Sequence, residues 1–315
     1  MHKLPVGETV IGAVKFGFQN MFTTIRLGWV GFLLSIIVIG IVGVLVFGGM
    51  DFSVFDDLDD WDYNSSEENM AALHAVFSIY GGIILAILIG SIAFVPLTVI
   101  LTRMAAEVED APTGIGYFRL GGTEILYILG GIVSSILHSL VVFLALIPAF
   151  AAFGWGAVLS FSDGADFEAA LDNSALGLGG AAVIVLLIVG IVLILWFALR
   201  MTTFLPAVAA EGGFPLFKAL KMTGKNVWHL VGAWILFFLL RYAIEIGVSI
   251  GFVAVFLIFA FLFQAAGAEM ELLGMLVIGA GGLIGAFLLL LYLMFIIASS
   301  VAFPARIYHH LKQNG

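Results

Sequence analysis

An all-α, polytopic transmembrane bundle of six spans is the fold class this chain predicts, and three observations carry that expectation. Of its 315 residues 63% are hydrophobic and only 10% charged, where a soluble domain carries about 25% charged residues. A soluble fold this apolar could not cover its surface with polar groups, so lipid is the solvent for much of it. The apolar residues fall into six long stretches, and the basic residues segregate strictly to alternate connections between them.

The stretches run at Trp29–Phe47, Leu73–Leu101, Ile125–Phe153, Leu176–Leu199, Leu230–Phe263 and Leu272–Phe303. A bilayer core of about 30 Å needs about 20 helical residues, and all six are near or above that length. A membrane strand needs only about 10 residues of strict alternation. Ala181–Trp196 shows none, which favours helices over a barrel. The third and fifth stretches exceed a simple span and are expected to tilt or kink, with Pro148 and the pair Gly247/Gly251 as the kink points. Met1–Ile25 lacks the basic–apolar–small pattern of a cleavable signal.

All twelve lysines and arginines can be placed. Eleven lie before the first span, after the last, or in the second and fourth connections; the twelfth, Arg241, lies inside the fifth span. The connections Gly48–Ala72, Gly154–Ala175 and Gln264–Glu271 contain none and hold fourteen acidic residues. Basic residues stay in the cytoplasm during insertion, so both ends are expected inside a bacterial inner membrane. The inner face then carries about +5 and the outer −14. A basic inner face suits anionic headgroups, and Arg103, Arg200, Lys218, Lys221, Lys225 and Arg306 are the expected interfacial contacts.

One pattern recurs at 7–106, 112–210 and 214–312: an amphipathic segment, a span, an acidic loop, a second span and an arginine. Lys15, Arg119 and Lys221 precede the odd spans at matching places, and Arg103, Arg200 and Arg306 close the even ones. The chain thus reads as one membrane domain of three helical hairpins in pseudo-threefold order about the membrane normal, as parallel repeats in transporters are arranged. The amphipathic segments, such as Phe214–Trp228 with lysines three and four residues apart, read as helices in the inner interface or as extensions of the spans.

Leu199–Trp228 reads LRMTTFLPAVAAEGGFPLFKALKMTGKNVW. With Arg200 ending a span, the Pro206–Ala207 step, the Glu211–Gly212 pair and Ala219–Asn226, it resembles the membrane domain found beside some bacterial glycerophosphodiester phosphodiesterases and related six-span proteins of the YciC-like type. The family often has serine where this chain has Thr223. The resemblance implies a membrane module with a lipid-related role. The hydrolase domain has no counterpart here, so no phosphodiesterase activity is implied.

Arg241 and Glu245 share one face of the fifth span at i, i+4. Burying an arginine at mid-bilayer costs about 2.5–3.5 kcal/mol on insertion scales; the readings are an internal ion pair fixing the helices, an arginine snorkelling toward the inner face, or a substrate, lipid-headgroup or ion site. In the repeat Ser35 and Ser139 correspond to Arg241, with His138 adjacent, so a polar ring from the three odd spans is expected about one axis. Asp60, Asp62 and Asn64 begin a calcium-loop pattern, but Ser65 stands at the turn glycine and Ala71 at position twelve, so the loop reads as a solvated acidic segment. His309–His310 reads as a solvated tail.

The chain has no cysteine and no phosphate-binding, zinc-protease, hydrolase-elbow or dinucleotide motif. No catalytic residue, metal or cofactor is therefore expected. The expected function is a non-enzymatic membrane protein that binds or organises lipids or assists other membrane proteins. The alternative is a small-solute or lipid transporter with a polar site around Arg241 and Glu245. Expected partners are membrane lipids, other membrane proteins or a second copy of the chain, and no nucleic acid.

Overall fold

The computed structural model describes residues 3–48, 66–162, 178–266 and 271–313. These form nine helices: α1 (Val6–Phe47), α2 (Ser66–Ala93), α3 (Val95–Ala105), α4 (Gly122–Ser162), α5 (Leu178–Met201), α6 (Phe204–Glu211), α7 (Leu216–Gly224), α8 (Val227–Ala266) and α9 (Glu271–Gln313). Six segments are long and apolar enough to cross a bilayer, so the chain is a multi-pass membrane protein. The acidic residues 51–62 and 163–172, like Glu269, lie outside the described residues, and the broken calcium-loop pattern with them.

The second apolar stretch is broken, and a second break follows the fourth, neither of which the sequence foretells. Phe94 interrupts the second, and Thr202–Thr203 break the helix just past the end of the fourth at Leu199. Proline explains where each new helix begins. Pro96 and Pro206 lie in the first turns of α3 and α6, where the N–H that proline lacks would have no helical acceptor. Pro148 and Pro304 instead sit inside the continuous helices α4 and α9. α6 ends at Gly212, whose left-handed backbone (φ 65°) lets its N–H reach the Val208 carbonyl.

The amphipathic segments before the odd spans take three forms. The first is continuous with α1, and the third is the separate helix α7. The second is non-helical from 106 to 121 and straps across α1, with Gly116 and Tyr117 donating N–H bonds to the carbonyls of Arg26 and Leu27 at 2.8 Å each. Arg26 Nη2 in turn donates to the Pro112 carbonyl at 2.6 Å. Burial, with Glu124 and Glu109 nearby, pushes the Tyr117 phenol above its ordinary value.

Three hairpins result: α1 with α2, α4 with α5, and α8 with α9. The first and third share the most extensive contact of the fold, α1 against α9. The second joins them through the short helices α3, α6 and α7, and α4 has no substantial contact with α1, α8 or α9 among the described residues. The core lies at the end of the bundle that carries both termini, hereafter the basic end. There Val10, Ala13, Leu27, Ile100, Leu101, Leu230, Ala302, Phe303 and Tyr308 are buried together.

Ion pairs lace this end. Glu107, on a left-handed backbone (φ 57°) that costs a non-glycine residue about 1–2 kcal/mol, accepts from Arg306 Nη1 at 2.6 Å. Glu211 accepts from Lys218 and from the Tyr308 hydroxyl. The tail expected to be solvated is instead helical. Tyr308 and Leu311 are buried, and the His309 ring bonds the Ala106 carbonyl at 2.8 Å. Apolar residues on its inner face drive that packing.

Candidate functional site

Where the three hairpins meet, next to the packed basic end, lies a cavity of ≈ 300 Å³. The second and third hairpins line it together with α3, which follows the first: α3 gives Thr102, α4 gives Tyr127, Ser134 and His138, Thr202 lies at the α5–α6 break, α8 gives Trp234, and α9 gives Ser300 and Pro304. Tyr127, Ser134 and His138 reach one wall because intervals of seven and four residues return to the same helical face.

Several lining hydroxyls already donate inward. Thr102 bonds the Thr98 carbonyl at 2.7 Å and Thr202 the Ala198 carbonyl at 3.3 Å. Thr202 Oγ1 also accepts from Trp234 Nε1 at 3.3 Å. His138 Nδ1 lies 2.8 Å from the Ser134 carbonyl, and its ring packs edge-on against Phe197. The prolines add acceptors. Pro206 and Pro304 line the cavity four residues after Thr202 and Ser300. Lacking an N–H, they leave the Thr202 and Ser300 carbonyls without an i+4 helical donor. The cavity therefore offers lone pairs more than donors.

Arg241 supplies the charge. Its Nη1 donates to Ser300 Oγ at 3.2 Å, so the guanidinium meets the cavity through that lining hydroxyl and is not itself one of the lining side chains. Among the described residues this neutral hydroxyl is its one hydrogen-bond acceptor. The internal ion pair expected with Glu245 does not form. The two share a helical face, but no ion pair within 4.0 Å joins them, and Glu245 is exposed. One turn of separation lets each side chain lean away, Arg241 toward α9 and Glu245 outward.

The expected ring of polar residues on the odd spans is also not what forms. Ser35 is buried against α2, donating to the Gly90 carbonyl at 3.3 Å where Gly90 lets α1 and α2 approach closely. His138 does reach the junction, while Ser139 is exposed one position on. From His138 a second, apolar hollow of ≈ 440 Å³ continues along α4, lined by Ser139, Val142, Phe143, Leu146, Ile147 and Phe150.

The expected headgroup contacts divide into two sets. The three arginines are engaged within the protein: Arg103 Nε with Glu109 at 2.8 Å, Arg306 with Glu107, and Arg200 donating to the Leu220 carbonyl at 2.6 Å while lying over the Trp196 ring. Lys218 pairs with Glu211. Lys221 and Lys225 are exposed at the basic end. Among the described residues no three His, Asp or Glu side chains gather closely enough to hold a metal ion.

The reading of single residues missed the cavity itself. Its signal was the recurrence of a hydroxyl residue four places before proline, Thr202–Pro206 and Ser300–Pro304, near the ends of two even spans. Comparison with known proteins finds no family model that matches the chain, no similar curated protein and no similar solved structure.

Proposed function

We propose that this membrane protein binds a phospholipid that enters sideways from the bilayer, with its phosphate on Arg241 at the hairpin junction and an acyl chain along α4. One observation carries the reading: a guanidinium with five N–H donors meets a single neutral acceptor inside a spanning segment. A phosphate matches that fork in charge and geometry. The apolar strip supplies the rest of the site. From His138 to Phe150 it runs about 18 Å, and half of a 30 Å bilayer core is about 15 Å.

The segregation of basic residues supports an orientation with both termini in the cytoplasm of a bacterial inner membrane. The bound lipid then belongs to the inner leaflet, and exposed Lys221 and Lys225 face its anionic surface. The resemblance of 199–228 to a lipid-associated membrane domain points the same way. A solute transporter would use the same cavity, but the apolar strip leading from it favours a lipid.

The test is native mass spectrometry of protein released from lipid nanodiscs. Wild type is expected to retain a phospholipid, and Arg241→Gln to lose most of it while remaining folded. Substituting Val142→Trp, which fills the strip without touching Arg241, is expected to reduce retention as well. Undiminished retention in both variants would refute the site.

A further inference from the structure

We infer that the headgroup is anionic and hydroxyl-bearing, a phosphodiester ending in a small polyol such as glycerol, and that the site discriminates against amine headgroups. This rests on the lateral phospholipid site proposed above and names the class of lipid it selects.

The cavity is rich in acceptors. Thr102 and Thr202 have spent their hydroxyl protons on backbone carbonyls, and prolines leave the Thr202 and Ser300 carbonyls without an i+4 donor; only Ser300 Oγ, which accepts from Arg241, keeps its proton among these three hydroxyls. A bound headgroup must therefore bring donors. Among common phospholipid headgroups, an ammonium or a hydroxyl can do so.

Charge decides between them. With the phosphate on Arg241 the cavity is neutral. A hydroxyl headgroup leaves it so, whereas an ammonium adds a positive charge within a few ångströms of the guanidinium. The described lining contains no carboxylate to receive that charge. Glu245, four residues beyond Arg241, is exposed and lies about 6 Å farther along α8 toward the other end of the bundle. A buried charge without a counter-charge is strongly disfavoured, whereas a neutral hydroxyl needs only the lone pairs present. Size agrees: ≈ 300 Å³ corresponds to about ten water volumes, room for a phosphate carrying a three-carbon polyol.

The experiment loads the full-length protein into nanodiscs of equimolar phosphatidylglycerol, phosphatidylethanolamine and phosphatidic acid with identical acyl chains, and counts retained lipid by native mass spectrometry. Phosphatidylglycerol is expected to exceed phosphatidylethanolamine by about tenfold and to exceed phosphatidic acid, which has the charge without the polyol. Ser134→Asp, which places a carboxylate on the α4 wall of the cavity away from Arg241, is expected to collapse or reverse the preference for the glycerol lipid over the amine. Equal retention of glycerol and amine lipids by wild type would overturn the headgroup inference while leaving lipid binding intact. Equal retention of phosphatidic acid and phosphatidylglycerol would overturn the polyol. An unchanged preference in Ser134→Asp that still retains lipid would overturn the charge argument. Loss of all three lipids from wild type would instead refute the underlying site.

Discussion

Gly190→Ala tests whether α4 and α5 are fixed to each other closely enough to form a wall of the cavity. A Cβ built on Gly190 would stand 2.8 Å from the Ala145 carbonyl oxygen and 3.3 Å from its carbon. Ordinary contact begins near 3.4 Å, so α5 must move away from the α4 backbone by about half an ångström, and no flexible side chain can yield instead. Overpacking of this kind costs about 1–3 kcal/mol. Against it stands the helix-propensity gain of replacing glycine by alanine, about 1 kcal/mol. Gly131→Ala on α4 separates the two effects, because its Cβ would meet nothing within 4 Å. Both variants share the propensity gain, so their difference in stability isolates the clash. Gly190→Ala is expected to be about 1–3 kcal/mol less stable than Gly131→Ala. Reversible unfolding in bicelles would measure the difference, and lipid retention should fall in the same variant as the wall shifts. Equal stability of the two would refute a fixed α4–α5 contact at this point.

Three further outcomes follow from specific contacts. Tyr308→Phe removes a hydroxyl that donates to Glu211 Oε1 at 2.6 Å from a residue 1% exposed; a loss of about 1.5 kcal/mol is expected in thermal unfolding, and an unchanged midpoint would show the bond to be idle. Thr223→Val keeps the shape of a fully buried side chain but deletes its 3.0 Å bond to the Arg200 carbonyl, so α7 should exchange its amide hydrogens faster, with stability lower by about 1 kcal/mol. In double-mutant cycles on lipid retention, Arg241 and Ser300 should couple by about 0.5 kcal/mol or more, and Arg241 with Glu245 by less; the reverse order would mean that the i, i+4 ion pair forms after all.

The spans were legible because their signal is compositional: a run of about 20 apolar residues needs no knowledge of its neighbours. Breaks inside a run were harder to read. Pro96 and Pro206 begin new helices while Pro148 and Pro304 lie within continuous ones, and only the surrounding packing separates these outcomes. The polar ring failed for a related reason. Matching positions in a repeat place Ser35, Ser139 and Arg241 alike in sequence, yet α1 turns Ser35 to α2 while α8 turns Arg241 to α9. Which face of a lipid-immersed helix finds a partner is not written in its hydropathy, since all its faces are apolar. The tail misled in the opposite direction: His309–His310 looked solvated, but Tyr308 and Leu311 on either side of them are buried.

The uneven packing of the bundle is itself a consequence of its solvent. Between helices in lipid there is little hydrophobic drive, and association rests on close contacts and polar bonds. Those devices gather at the basic end: the Glu107–Arg306 and Glu211–Lys218 pairs, the Thr223 bond and the strap across α1. Farther along, none of the most apolar window of α8 is buried, against 33% of that of α9. In water, helices so exposed would collapse onto one another and close the junction. In a bilayer they need not, because acyl chains satisfy the apolar faces as well as another helix would. A bundle laced at one end and lipid-faced beyond it therefore keeps a hollow at the boundary between the two regimes, lined by His138 and by Ser300, to which Arg241 donates.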